Sequence, residues 1–159
     1  MVSGVPSHPH GHRPSGFTLP ELLSVVAIVA ILASVAAPAF SSMVAGARAR
    51  SASSELYAAL SRARSEAIKR NAEVTLAPAT ARQWQSGWSI AAAAGSKLED
   101  HPAVKGATLT GPDSVVFLPN GRIKGGGRPA FDILIGGDSQ HRCVRVDLSG
   151  RPNQTKSTC

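Results

Sequence analysis

The sequence predicts an α+β protein in which a long N-terminal helix is followed by an antiparallel β-sheet domain. Three observations support this fold class: an uncharged apolar run over residues 22–40, an amphipathic alanine-rich stretch that continues to residue 70, and short alternating segments separated by turn residues. Across all 159 residues, 43% are hydrophobic and 4% aromatic. A chain of this composition is not intrinsically disordered, and its mean hydropathy near zero excludes a multi-span membrane protein.

The apolar run is long enough to cross a membrane. It reads LLSVVAIVAILASVAAPAF, interrupted only by Ser24, Ser34 and Pro38, and as a helix it spans about 28 Å. Residues 1–16 contain Arg13 and no acid, so the positive-inside rule places the N-terminus in the cytoplasm.

Glu21 stands directly before this run, where a carboxylate is costly unless it is paired and therefore indicates a function. An ordinary secretory signal is the alternative interpretation. It would be cut after the run, for instance after Ala37-Pro38-Ala39, and would leave a soluble periplasmic protein. The run is longer than the usual apolar part of such a signal, and Glu21 has no obvious use in a disposable segment.

The stretch Gly16-Phe17-Thr18-Leu19-Pro20-Glu21-Leu22-Leu23 resembles the processing site of type IV pilins and type II secretion pseudopilins. The resemblance implies cleavage by a prepilin peptidase after Gly16, N-methylation of Phe17 and retention of the helix. It also implies that Glu21 meets the N-terminal amine of a neighbouring subunit during assembly, and that Pro38 kinks the helix.

The domain organisation follows from these features. Residues 1–16 form the leader, residues 17–71 the long helix with its membrane span at about 22–40, and residues 72–159 the globular β domain. Within the helix, Leu56 and Leu60 begin an apolar stripe that faces this domain. The arginines on the opposite side, among them Arg64, are interpreted as a solvated face.

Six strands are predicted in the β domain. They lie at residues 73–77, 84–90, 107–110, 114–118, 131–135 and 144–148, with Pro78 ending the first, a loop at 91–112 around the third and a turn at 136–139. In the last strand, Val144, Val146 and Leu148 are expected to face the core.

Three sequence blocks in this region resemble the GspH/FimT family, which comprises pseudopilins of type II secretion and minor pilins of type IV pili. The blocks are QSGWSI at 85–90, VFLPNGR at 116–122 and RCVRVDLSGR at 142–151, whereas residues 91–112 match only loosely. The resemblance implies a pilin-like fold and a structural subunit that helps to initiate filament assembly. The choice between pilus and secretion system stays open.

The resemblance also implies partners and a location. The N-terminal helix would contact other pilins or pseudopilins, the prepilin peptidase would process the chain, and an inner-membrane assembly platform would extract it. The protein would cross the bacterial inner membrane once, with the N-terminus in the cytoplasm and the β domain in the periplasm, and would then enter the pilus or pseudopilus.

Cys143 and Cys159 favour a disulfide, because the domain that contains them is expected outside the cytoplasm. A free-thiol or metal role is the alternative, but no cluster of histidines and cysteines accompanies the pair. His8, His10 and His12 lie in the leader, so neither a metal nor another cofactor is expected. The sequence contains no Ser/His/Asp arrangement, no paired carboxylates and no phosphate-binding loop followed by a helix, so an enzyme is not expected.

Basic residues outnumber acidic ones by four over residues 121–159. They are Arg122, Lys124, Arg128, Arg142, Arg145, Arg151 and Lys156. Such an excess is typical of a surface that binds a polyanion, so the alternative function is a DNA receptor in natural transformation. A basic surface that keeps the domain soluble is the simpler interpretation.

Some FimT-like minor pilins linked to DNA uptake carry a Gly-Arg-x-Arg motif near the C-terminus. Gly150-Arg151-Pro152-Asn153 departs from that motif because it lacks the second basic residue. Gly121-Arg122-Ile123-Lys124 has the expected pattern, but in an earlier hairpin.

The mature N-terminus tests the processing hypothesis. Mass spectrometry of the chain isolated from its host should find a protein that begins at methylated Phe17, because the peptidase cuts before the apolar run. A chain that begins near Phe40 would instead identify a soluble protein released by a secretory signal.

Overall fold

A computed structural model describes residues 17–93, 95–136 and 140–159. The leader, with Gly16, and residues 137–139 of the predicted turn lie outside the described residues. The described part forms α1 (Leu19–Arg70), β1 (Val74–Thr80), β2 (Gln83–Ala92), β3 (Lys97–His101), β4 (Ala107–Thr110), β5 (Val115–Phe117), β6 (Ala130–Ile135), β7 (Gln140–Val146) and β8 (Pro152–Thr155). Two compact units divide the chain, Met1–Pro38 and Ala39–Cys159.

Helix α1 runs without a break through the apolar run at residues 22–40 and through the amphipathic stretch that follows it. It contains Pro38 and ends at Arg70, where Asn71 adopts a left-handed conformation with φ 50°. The backbone N–H of Ala72 donates to the carbonyl of Ala67, a hydrogen bond typical of helix C-caps. Lys69 and Arg70 in the last turn stabilise this end, because their positive charges interact favourably with the negative pole of the helix.

One face of α1 within the second unit is buried against the β domain. The predicted stripe is confirmed, since Leu56 and Leu60 are fully buried, and alanines fill the rest of it. The buried residues of the helix are Ala49, Ala52, Ser53, Leu56, Ala59, Leu60, Ala63 and Ala67. Each fully buried leucine contributes about 1.5–3 kcal/mol relative to an exposed one.

The strands form two antiparallel sheets, where the sequence predicts one. The first has the order β3-β2-β1-β5 and the second the order β4-β6-β7-β8. Trp84 of β2 and Phe131 of β6 join them edge to face, with ring centroids 4.8 Å apart. The Trp84 indole N–H donates to the carbonyl of Pro112 over 2.7 Å, so this buried polar group is satisfied. Both sheets and the helix share one hydrophobic core.

A polar contact joins the helix to the first sheet through His101 at the end of β3. Its ring stacks on Trp88 with centroids 3.9 Å apart, and its Nε2 lies 3.1 Å from a carboxylate oxygen of Glu55 on α1. The other ring nitrogen, Nδ1, lies 2.8 Å from the carbonyl of Pro102.

A disulfide joins Cys143 of β7 to Cys159 and holds the tail on the outer side of the second sheet. The tail makes further contacts there, since the backbone N–H of Cys159 donates to Asp132 on β6. His141 also contacts Asp132, with 3.1 Å between Nδ1 and Oδ2. The tail is therefore fixed to two adjacent strands.

Strand β1 contradicts the predicted stop at Pro78. It continues to Thr80, and Pro78 pairs with Trp88 of β2. Beyond Leu76 the other side of β1 has no ladder with β5, so the missing N–H of the proline breaks no ladder there.

Three other strand predictions are incomplete or wrong. The expected loop at 91–112 contains strand β3 in addition to the predicted strand β4, and β8 was not predicted. Leu148 is 37% exposed rather than buried, because β7 ends at Val146 and the chain then turns.

The turns at Gly121 and Gly150 contact each other although 29 positions separate them. Both glycines are buried and have positive φ, 74° and 80°. A Cβ built on Gly150 would lie 1.9 Å from the carbonyl oxygen of Gly121. The same oxygen accepts a hydrogen bond of 3.1 Å from Nε of Arg64 on α1.

Replacing Gly150 tests this contact. We expect Gly150→Ala to lower the free energy of unfolding by at least about 2 kcal/mol, because its Cβ overlaps backbone and its φ is strained. Thermal unfolding of the full chain in detergent measures the loss. Gly126→Ala is the matched control, since Gly126 has open space and an ordinary φ, and should change the midpoint little. Equal midpoints for the two variants would contradict the packing described.

Candidate functional site: apolar segment and basic groove

The N-terminal part of α1 presents an apolar surface that none of the described residues covers. Every residue from Phe17 to Met43 is exposed, including Leu23 and Ile31. Among the described residues, α1 is the one helix whose length and composition would allow it to cross a membrane. Ser24 and Ser34 do not interrupt this surface strongly, because their hydroxyls donate to the carbonyls of Pro20 and Ile31.

Phe17 and Glu21 stand at the head of this segment. Glu21 lies in the first turn of α1, where its negative charge interacts favourably with the positive pole of the helix. Within the described ranges no side chain of the same molecule pairs with it. Helix α1 continues through Pro38, and the kink remains a prediction.

A groove of about 770 Å³ runs along α1 within the second unit. One wall is a stripe of the helix formed by Tyr57, Ser61, Arg64, Ser65 and Ile68. The opposite wall comes from β7, the following turn, β8 and the loop before β6, and contributes Arg128, Arg145 and Arg151. Four arginines therefore surround one opening, which we call the basic groove.

Each arginine of the basic groove is positioned differently. Arg64 is half-buried and held by the carbonyl of Gly121. Arg145 is exposed, and its Nη2 donates to the carbonyl oxygen of Cys159. Arg128 and Arg151 are exposed on loops, free to contact a ligand. This arrangement leaves two fixed cations and two adaptable ones.

Asp147 is the acidic residue that lines the groove, and the turn already uses its carboxylate. Its Oδ1 accepts hydrogen bonds from the Ser149 hydroxyl (2.6 Å) and from the backbone N–H of Arg151 (2.9 Å). The Ser149 bond is the largest cause that lowers the pKa of Asp147, followed by the Arg151 bond. Its role is to fix the turn that presents Arg151.

The other predicted basic residues do not join the groove. Arg142 and Lys156 line a separate hollow of about 230 Å³ together with Arg50 of α1. Lys124 pairs with Glu73 at 2.9 Å. Arg122 is exposed in the Gly121 turn.

Sequence reasoning missed the helix wall of the groove, because it assigned Arg64 to a solvated face. A signal was present: Tyr57, Ser61, Arg64 and Ile68 recur at i, i+4, i+7 and i+11 and form a second stripe beside the buried one. What the sequence did not show is that the Gly121 and Gly150 turns meet at this stripe.

Comparison with known proteins agrees with this architecture. Residues 52–150 match the family of Type II transport protein GspH, and residues 11–37 match the prokaryotic N-terminal methylation motif. Among curated proteins, none matches the chain.

Solved structures similar to the chain include two crystal forms of the type IV minor pilin FimU of Pseudomonas aeruginosa PAO1. The first has 26% identity and a TM-score of 0.60, covering 67% of this chain and 91% of FimU. The second has 28% identity and a TM-score of 0.59, covering 67% and 87%.

The minor pseudopilin EpsH of the Vibrio cholerae type 2 secretion system shares the fold, with 12% identity, a TM-score of 0.55 and coverage of 69% of this chain and 97% of EpsH.

The family match covers more than half of the sequence, and the helix-and-sheet architecture is that of FimU and EpsH. Proteins of this kind are structural pilin and pseudopilin subunits rather than enzymes, and they carry an N-terminus that is processed and methylated. The chain therefore belongs to the GspH family of type II transport proteins, within the pilin and pseudopilin class.

Proposed function

We propose that the chain is a minor subunit of a type IV pilus or type II secretion pseudopilus and helps to initiate filament assembly. The observation that carries this proposal is the exposed apolar segment of α1, with Glu21 at its head paired to no described side chain. Such a segment needs an apolar environment at every stage, first a bilayer and then the helices of other subunits.

Pairing between Glu21 and a neighbouring N-terminus would set the position of each subunit. Cleavage after Gly16 creates an amine on Phe17, four residues from Glu21. Neither charge is stable alone in an apolar environment, whereas a carboxylate and an amine together offset much of the desolvation cost. A subunit shifted along its neighbour would leave both groups unpaired, so the pair selects one register.

The charge of the mature chain supports a minor rather than a major role. Removal of residues 1–16 takes away Arg13 and no acid, which leaves side-chain charges of +6. A filament built from this chain alone would bring these charges together, and their repulsion would oppose packing. Less basic neighbours remove that cost, so the subunit fits a filament of mixed composition.

Before assembly the subunit crosses the inner membrane once, with its N-terminus in the cytoplasm and the β domain in the periplasm. The methylation motif and the apolar helix support this location. A prepilin peptidase and an assembly platform in that membrane are the partners that this route requires.

Replacing Glu21 tests the assembly mechanism. We expect Glu21→Ala to reduce incorporation into sheared filaments or pseudopili at least about ten-fold, because the buried amine of a neighbour loses its partner. Immunoblots of the filament and membrane fractions measure the ratio.

Glu66→Ala is the matched control, since Glu66 lies on the same helix and pairs only with exposed residues, Lys69 and Arg70. Mass spectrometry should find methylated Phe17 in both variants, which separates assembly from processing. Wild-type incorporation of Glu21→Ala would contradict the mechanism.

DNA binding in natural transformation is the second candidate function. The observation that favours it is the basic groove, where Arg64, Arg128, Arg145 and Arg151 converge. Arginines on loops contact phosphates without reading bases, which predicts binding that is independent of sequence and sensitive to salt.

Removing the two adaptable cations tests this candidate. We expect the double variant Arg128→Gln/Arg151→Gln to bind duplex DNA more weakly and to reduce the slope of log affinity against log salt by about 2. Fluorescence anisotropy with a labelled duplex at several salt concentrations measures both.

Arg82→Gln/Lys105→Gln is the control, because it removes the same net charge from exposed positions outside the groove. An equal loss of DNA affinity in the two double variants would indicate that the net charge of the domain attracts DNA without a defined site. It would contradict the basic groove as the DNA-binding site.

A further inference from the structure

A smaller hollow of about 390 Å³ lies beside α1 at the start of the second unit. Its helix side is formed by Phe40, Val44 and Arg48, which recur every four residues on one face. Its other side includes Ile135 at the end of β6, with Gly106 and Gly136. We call it the apolar hollow, and its volume is that of a small-ligand site.

Chain position places the apolar hollow at the membrane surface. Phe40 is the last residue of the apolar run, and Arg48 follows eight residues later, about 12 Å along the helix. The polar headgroup layer of one leaflet is about 5–8 Å thick. With Phe40 at the edge of the hydrocarbon, Val44 lies at the level of the headgroups. The backbone of Arg48 lies beyond their outer boundary, and its long side chain reaches back toward the phosphates.

The lining has the polarity of a phospholipid at this depth. Phe40, Val44 and Ile135 offer apolar contacts, while Arg48 supplies the one charge among the described residues that line the hollow. Arg48 is exposed, and a long arginine side chain bends toward phosphate while its stem covers apolar surface. The two glycines carry no side chain that would fill the space.

We propose that the apolar hollow seats one anionic phospholipid of the leaflet next to the β domain, with its phosphate at Arg48 and its glycerol end against Phe40 and Val44. A neighbouring copy is a poorer occupant. Its apolar segment carries no acid except Glu21 at the head, so it offers no partner for Arg48. The inference requires only that residues 22–40 lie in a bilayer, and it holds whether or not the subunit enters a filament.

The consequence for assembly is a lipid that the subunit must release. In the membrane the bound lipid ties the base of the β domain to the headgroup layer. Extraction into a filament removes the bilayer and empties the hollow, so lipid composition sets part of the work that extraction requires.

Lipid retention by the full mature chain tests the proposal. The protein in mild detergent is titrated with phosphatidylglycerol or with phosphatidylcholine of the same acyl chains, and native mass spectrometry counts the bound lipids. We expect one phosphatidylglycerol per chain, retained in preference to phosphatidylcholine. Arg48→Gln should weaken its retention about five-fold, as expected for one interfacial arginine.

Arg50→Gln is the matched control, because Arg50 lies two positions away on the same helix, is exposed, and lines a different hollow. It should retain the lipid as the wild type does. Equal weakening by both variants, or equal retention of the two lipids, would overturn the proposal, since either indicates diffuse attraction.

A photo-crosslinking residue at position 44 in native membranes identifies the occupant directly. A lipid adduct supports the proposal, whereas an adduct only with a neighbouring subunit overturns it in favour of a protein-docking site.

Discussion

The structure depends on a single hydrophobic core, in which one face of α1 and strands of both β-sheets bury their apolar side chains together. Ala49, Ala52, Ala59, Ala63 and Ala67 are buried, and only Leu56 and Leu60 add bulk. The helix therefore adds mostly small side chains to the core, and larger ones come from the strands, among them Trp84 and Phe131. The disulfide acts at the far side of this core, where it holds the tail on β7.

The same constraint creates the basic groove. Because one stripe of α1 is committed to the core, the adjacent stripe, with Tyr57, Ser61 and Arg64, remains as a wall beside β7 and β8. The arginines converge there without being paired by acids of the lining, since the turn engages Asp147. The groove is therefore a by-product of packing, and the four arginines that line it lie at positions that the core does not use.

Periodicity was sufficient to predict the helix, its buried stripe and the alternating strand β6, because those residues are fixed by burial. It failed where burial does not act. Strand β8, with the sequence PNQT, has no apolar alternation and is placed by its pairing with β7. The prediction that Pro78 ends β1 was wrong, because β1 pairs with β5 only as far as Leu76. At Pro78 one side of the strand is unpaired, so the absence of a backbone N–H is tolerated there. For the site, the sequence supplied Arg128, Arg145 and Arg151, but Arg64 joins them only through the tertiary contact between the Gly121 and Gly150 turns.

That contact separates what can vary in this domain from what cannot. A Cβ on Gly150 would overlap the backbone of Gly121, and a Cβ on Gly121 would lie 2.7 Å from Cδ1 of Ile68. Both glycines also have positive φ, so a side chain at either position is strained. The residues that follow them, Arg122 and Arg151, are exposed. Mutation can change the charge at both exposed positions without disturbing the turns that present them. The surface charge of the domain can therefore diverge between lineages at these two positions, while helix α1 and the core stay as they are.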